Sequence, residues 1–112
     1  MENEPKKVEI TADSTESCAT FVFHEEDHTV GNTLRYMLNR DEDVDFVGYS
    51  VPHPLERKMN LRVQVQENGS ATGSLMQAMD GIVNLCNIVE AKYKGAMDKY
   101  EREHADSSEM EV

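Results

Sequence analysis

His24, Glu25 and His28 stand in the order H-E-x-x-H, within the stretch His24-Glu25-Glu26-Asp27-His28. In metalloproteases that pattern lies on a helix, where two histidines one turn apart hold zinc and the glutamate works on the metal-bound water. The chemistry therefore requires a helix through both imidazoles. The residues before His24 argue against one, because Ala19, Phe21 and Phe23 recur at alternate positions, the period of a half-buried strand. Four residues of extended strand span ~13 Å, whereas one zinc reaches both imidazoles through bonds of ~2 Å. A turn after His24 would bring the rings closer, yet the apolar helical period begins only beyond His28, at Val30. Asp27 and His28 are accordingly expected to start a helix, and no metal or cofactor is expected. His53 is expected in a loop and His104 in a solvated tail. No glycine-rich phosphate loop and no G-x-S-x-G occurs, and the acid clusters at 25–27 and 41–45 flank loops as solvated surface.

The chain as a whole narrows the remaining classes. Its 112 residues make one small domain, which buries only about two-thirds of its unfolded surface. Eleven basic against twenty-two acidic residues give a net charge of −11, the wrong sign for neutralising phosphates, so broad contact with nucleic acid is not expected. The opening MENEPKKVEI has no apolar signal core and no run of eighteen apolar residues follows, so a soluble intracellular protein is expected, with no membrane partner. Cys18 and Cys86 lack C-x-x-C spacing and are expected to be reduced packing residues.

The elements that position these residues follow from periodicity. Val8, Ile10 and Ala12 alternate, STES supplies turn chemistry, and CATFVFHEE alternates again, which together form a β-hairpin. Val30, Leu34, Met37 and Leu38 then fall on one face of a helix whose first N–H groups Asp27 or Thr29 caps. In VDFVGYSV, Val47, Tyr49 and Val51 share a face and Phe46 takes the other, with Gly48 expected to mark a bulge. Pro52 and Pro54 interrupt ladder pairing, after which Met59, Leu61, Val63 and Val65 alternate cleanly. Ser70, Thr72 or Ser74 caps the last element, a helix from about 74 to about 104 in which Leu75, Met79, Ile82, Cys86, Val89, Tyr93, Met97 and Tyr100 recur at spacings of four and three. The expected architecture is α+β, a two-layer ββαββα arrangement of an antiparallel four-stranded sheet with two helices on one face. Residues 1–5 and 105–112 are acid-rich and apolar-poor, and are expected to be disordered ends of a single domain spanning 6–104.

The last helix carries more apolar surface than its own sheet accounts for. At ~1.5 Å per residue thirty residues reach ~45 Å, against a sheet ~20–27 Å long. Between Leu75 and Val89, ten of fifteen residues are apolar, which is more than one contact face. Leaving five such side chains in water forgoes on the order of 10 kcal/mol, comparable with the whole stability of a domain. A second protein surface is expected to cover them. Gly81 or Gly95 is a candidate for close helix–helix approach, or each is a tolerated local kink.

The runs HEEDHTVGNTLRYML and VDFVGYSVPHPLERKMNLRVQVQ resemble the small alpha-like subunit of eukaryotic and archaeal RNA polymerases over about residues 18 to 66, through E-D-H-T-x-G-N-x-L-R, F-x-G-Y, the H-P turn and N-L-R-x-Q. The N-L-R-V-Q and L-R-Y-M wording is most similar to the member shared by RNA polymerases I and III, while V-P-H-P-L-E-R-K is similar to the polymerase II counterpart. Helix residues 74 to 100 match only in character. The resemblance implies a non-catalytic nuclear subunit, present in nucleolus and nucleoplasm. It would heterodimerise with the larger alpha-like subunit through both helices, and the pair would serve as an assembly platform for the two largest subunits. It further implies that Leu34, Leu38, Leu75, Met79, Ile82, Cys86 and Val89 face that partner, their alternative being the chain's own core. Asn32 and Arg35 would touch the second-largest subunit, with Gly31 allowing close approach there; solvation and a plain helix-start glycine are the alternatives. A homodimeric binding module of the same architecture stays open as a different class of answer.

Overall fold

The computed structural model describes residues 6–110, with side chains as far as Ala105. The elements are β1 (Val8–Ile10), β2 (Cys18–His24), α1 (His28–Asn39), β3 (Val44–Ser50), β4 (Lys58–Val65) and α2 (Ala71–Met110). All three strand pairings are antiparallel and the sheet order is β1-β2-β4-β3. This is the expected α+β arrangement of four strands and two helices. Residues 1–5, assigned from composition to a disordered end, lie outside the described residues, as do 111 and 112.

The register explains the core. Phe21 stands opposite Leu61, which on its other side faces Tyr49, and Ala19, Val63 and Val47 form the next row. Alternation sends Ala19, Phe21, Phe23, Met59, Leu61, Val63 and Val65 to one face, where all are buried. Leu34 and Leu38 of α1, and Ala71, Leu75 and Ala78 of the first turns of α2, are buried with them. Up to Gly81 the chain forms one compact unit, and the described residues from Ile82 onward form a second.

Three local expectations are corrected. β1 stops at Ile10 because turn chemistry starts at Thr11, whose hydroxyl donates to Asp13 Oδ1 at 2.6 Å and whose carbonyl accepts from the Ser14 N–H, so Ala12 lies in a turn. Ile10 pairs with Phe21 yet stays half exposed, at the sheet edge. The ladder irregularity falls between Val44 and Phe46, leaving Asp45 as the extra residue; Gly48 is in register opposite Arg62 and answers instead to the Phe46 ring, whose Cζ would stand 3.1 Å from an added Cβ. Finally, α2 runs to Met110 through residues 105–110 of the expected disordered tail. No proline or glycine follows Gly95, and a helix already nucleated adds residues at little cost.

Candidate partner-docking surface

Residues 24–28 do not form one helix. His24 ends β2, and its Nε2 lies 2.7 Å from Glu9 Oε2, a hydrogen bond that, with the imidazole beside it, holds the Glu9 carboxyl below its ordinary pKa. Glu25 turns the chain with φ 61°, in the left-handed region, and its N–H donates to the Arg57 carbonyl at 2.6 Å. Asp27 caps α1: its Oδ1 accepts from the Thr29 N–H at 3.0 Å, which lowers the carboxyl's pKa, and Arg57 Nη2 donates to Oδ2 at 3.2 Å. His28 opens the helix and shares a hydrogen bond of 3.0 Å with the Tyr49 hydroxyl. The two imidazoles thus serve different elements. Among the described residues no group of three histidine, cysteine or acidic side chains is placed to hold a metal ion.

Burial sorts the seven residues proposed to face a partner. Leu34, Leu38 and Leu75 are only 2%, 0% and 4% exposed, and so belong to the chain's own core. Their expected docking role is corrected on that ground, since a side chain with no free surface has none to offer. Met79 and Ile82 are half-buried, Cys86 is exposed, and Val89 is 59% exposed. Cys86 is therefore not the packing residue expected of a thiol, whereas Cys18 is partly covered, with Arg62 Nη2 2.8 Å from its Sγ.

The free apolar set is larger than the seven. Val83, Leu85, Ile88, Tyr93, Met97 and Tyr100 are exposed as well, and so is Met76, the residue after Leu75. Tyr93, Met97 and Tyr100 continue the four-and-three spacing past Val89; Val83, Leu85 and Ile88 widen the stripe on either side. The count of ten apolar residues in fifteen was the signal for this width. Every side chain from 83 to 105 is exposed in this chain.

The first helix contributes polar groups. Asn32 and Arg35 are both exposed, joined by a 3.2 Å hydrogen bond from Arg35 Nη2 to Asn32 Oδ1, and the guanidinium carbon lies 5.9 Å from the Tyr49 ring centre. Gly31 is buried rather than presented outward, and a Cβ there would sit 2.5 Å from Tyr49 Cδ2. It allows α1 to approach β3, not a second protein. Gly31→Ala is expected to destabilise the fold by about 1–3 kcal/mol, because the overpacked ring outweighs the ~1 kcal/mol that alanine gains in a helix. Urea melts of the two proteins check this, and an unchanged or raised midpoint would show that Tyr49 yields freely. At Gly81 the corresponding neighbour is the flexible end of Met37, with Cε 2.7 Å away, so the first turns of α2 do approach α1 closely at a glycine. Gly95 has nothing within 4 Å.

A two-layer α+β module that buries one helix on its sheet and leaves a second helix with uncovered apolar residues over many turns is a module built to pair. The chain belongs to the RNA polymerase Rpb3/Rpb11 dimerisation domain family, whose profile matches residues 18–92. It is similar to the Dictyostelium discoideum protein named DNA-directed RNA polymerases I and III subunit rpc19, 44% identical over 93 residues, covering 83% of this chain and 79% of that protein. The Danio rerio protein named DNA-directed RNA polymerases I and III subunit RPAC2 is 38% identical over 93 residues, covering 83% of each. Among solved structures, subunit L of the DNA-directed RNA polymerase from Thermoplasma acidophilum shares the fold, with a TM-score of 0.75 at 20% identity over 87% of this chain and 94% of that one.

Proposed function

We propose that this chain is the small alpha-like subunit of DNA-directed RNA polymerases I and III. It pairs with the larger alpha-like subunit through α2, and the pair serves as a platform on which the core enzyme assembles in the nucleus, nucleolus and nucleoplasm alike. The subunit itself carries out no step of catalysis. The observation that carries the reading is the exposed apolar stripe from Val83 to Tyr100 within a chain of the dimerisation family. The net charge of −11 suits a position away from the nucleic acid. Relatives at 34–44% identity bear the name of the subunit of polymerases I and III, which favours that pair of enzymes over polymerase II. On this reading Asn32 and Arg35, exposed on α1, are available to the second-largest subunit.

Capture of the tagged chain from native extract, followed by identification of the co-purifying subunits, tests the proposal. Recovery of a larger alpha-like subunit together with the large subunits of polymerases I and III is expected. Recovery of polymerase II subunits alone would move the chain to that enzyme, and a purified chain that forms only dimers with itself would make it a homodimeric module.

A further inference from the structure

We propose that Asn68 is a modification site: its side-chain amide is lost to attack by the backbone nitrogen of Gly69 when the turn between β4 and α2 opens, and the closed turn protects it. This holds whichever protein covers α2. Asn68-Gly69 is the one asparagine–glycine pair in the chain, and the local geometry calls for both residues. Asn68 takes φ 71°, in the left-handed region that asparagine enters at less cost than most side chains. At Gly69 an added Cβ would stand 2.9 Å from the Gln66 carbonyl oxygen and 3.0 Å from Val65 Cγ2, so any side chain there displaces the turn. Glycine in turn leaves its own nitrogen unshielded. When that nitrogen attacks the Asn68 side-chain amide carbon, a carbon–nitrogen bond closes a five-membered imide and the bond to the side-chain nitrogen breaks. The side-chain nitrogen leaves as ammonia, carrying the proton that Gly69 gives up. Water then opens the ring at one carbonyl or the other, leaving aspartate or its β-linked isomer. The balance is one water in and one ammonia out, with no oxidant or reductant.

The folded turn opposes the first step. The Gly69 N–H donates to the Gln66 carbonyl at 2.8 Å, which engages the proton that must leave before the nitrogen attacks. Both ends of the turn are tied to other parts of the sheet. On the β4 side the Val65 N–H donates to the Ser17 carbonyl at 2.8 Å and the Gln66 N–H to the Asp43 carbonyl at 3.1 Å. On the α2 side the Ala71 N–H donates to the Glu16 carbonyl at 2.7 Å, and Ser70 Oγ caps the helix by accepting from the Gly73 N–H at 3.0 Å. Freeing the Gly69 nitrogen therefore takes a local opening of the β4–α2 connection rather than the rotation of one side chain. Asn68 is exposed, so water reaches the imide once it has formed. The product does not fit as the asparagine did. A new carboxylate joins those of Asp43 and Glu67 around one surface cavity, and the β-linked isomer adds a methylene to the backbone of a turn that has no room for even a Cβ at the next residue.

The test ages the full chain at mildly alkaline pH, in buffer and in guanidinium chloride, and follows the mass gain of amide-to-acid conversion by fragmentation of the tryptic peptide that runs from Val63 to Lys92. That peptide also holds Asn84 and Asn87, which precede Leu85 and Ile88 and serve as internal references. In denaturant, conversion at Asn68 is expected to run at least about tenfold faster than at either reference, and in the folded chain it is expected to slow at least about tenfold, as the open fraction of the turn falls. Once refolded, the converted chain is expected to melt at a lower urea concentration than fresh chain. Asn68→Gly, which takes the same φ and has no amide to lose, is expected to melt alike before and after ageing. Equal rates at the three asparagines in denaturant overturn the site, and equal rates at Asn68 in the two solvents overturn its protection by the turn. A midpoint that falls as far in aged Asn68→Gly as in aged wild type overturns the consequence for the fold, because the damage then lies elsewhere.

Discussion

Val89→Lys is expected to abolish pairing with the larger alpha-like subunit while leaving the fold of this chain unchanged. Val89 is 59% exposed, so in the unpaired chain a lysine there keeps its ammonium in water, and lysine is the better helix former. Pairing changes the environment. Covering the stripe would move that ammonium into an apolar contact, and an uncompensated buried charge costs several kcal/mol. Each ~1.4 kcal/mol is tenfold in the dissociation constant, so affinity is expected to drop by about a thousandfold. Helix content and urea midpoint of the purified chain, followed by titration with the partner, separate the two effects. Asp80→Lys is the control, since Asp80 is exposed on α2 without belonging to the apolar stripe. If Val89→Lys binds as wild type does, the stripe is not the pairing surface.

The same helix shows how far residue order alone carries and where it stops. At ~3.6 residues per turn, Ala71, Leu75, Ala78, Ile82, Cys86 and Val89 fall within about 80° of one another on α2. Periodicity treats them as one face. The fold divides that face: Ala71, Leu75 and Ala78 are buried, Ile82 is half-buried, and Cys86 and Val89 are exposed. The division depends on tertiary packing, which no spacing encodes. Leu34 and Leu38 illustrate the same point on α1, where resemblance assigned an interface and burial returns them to the core. Short-range features were legible because their causes are local. Asp27 accepts from an N–H two residues away, and β2 and β4 alternate so cleanly that the inward set of each strand follows from its own sequence, although alternation alone leaves open that Phe21 stands beside Leu61. The bulge was misplaced because glycine is only one way to accommodate an extra residue. Asp45 takes that position next to the Asp41 turn, whose Oδ1 accepts from the Asp43 N–H, while Gly48 answers to an aromatic ring two residues before it. The metalloprotease-like pattern at 24–28 failed for a reason the strand period already contained: a residue that ends β2 cannot share a helical face with the one that opens α1.

Leu38→Ala is expected to give the mirror image of Val89→Lys. The side chain is 0% exposed beneath α1, and removing its methyl groups leaves a cavity that the neighbouring strands fill only partly. Such a change costs about 2–5 kcal/mol, a large share of the ~5–15 kcal/mol that holds a domain of this size together. The urea midpoint of the chain alone is expected to fall accordingly, before any partner is added. If the leucine were a docking residue instead, the isolated chain would melt as wild type and only the titration with the partner would change. The two substitutions therefore form a pair of opposite outcomes, one acting on folding and the other on association. Combined in one chain, their effects on the fold are expected to reduce to that of Leu38→Ala by itself, because Val89 lies beyond Gly81 in the second unit and residues without shared neighbours act independently. A further loss of stability in the double variant would mean that the exposed half of α2 supports the folded sheet, and that the stripe is not wholly reserved for another protein.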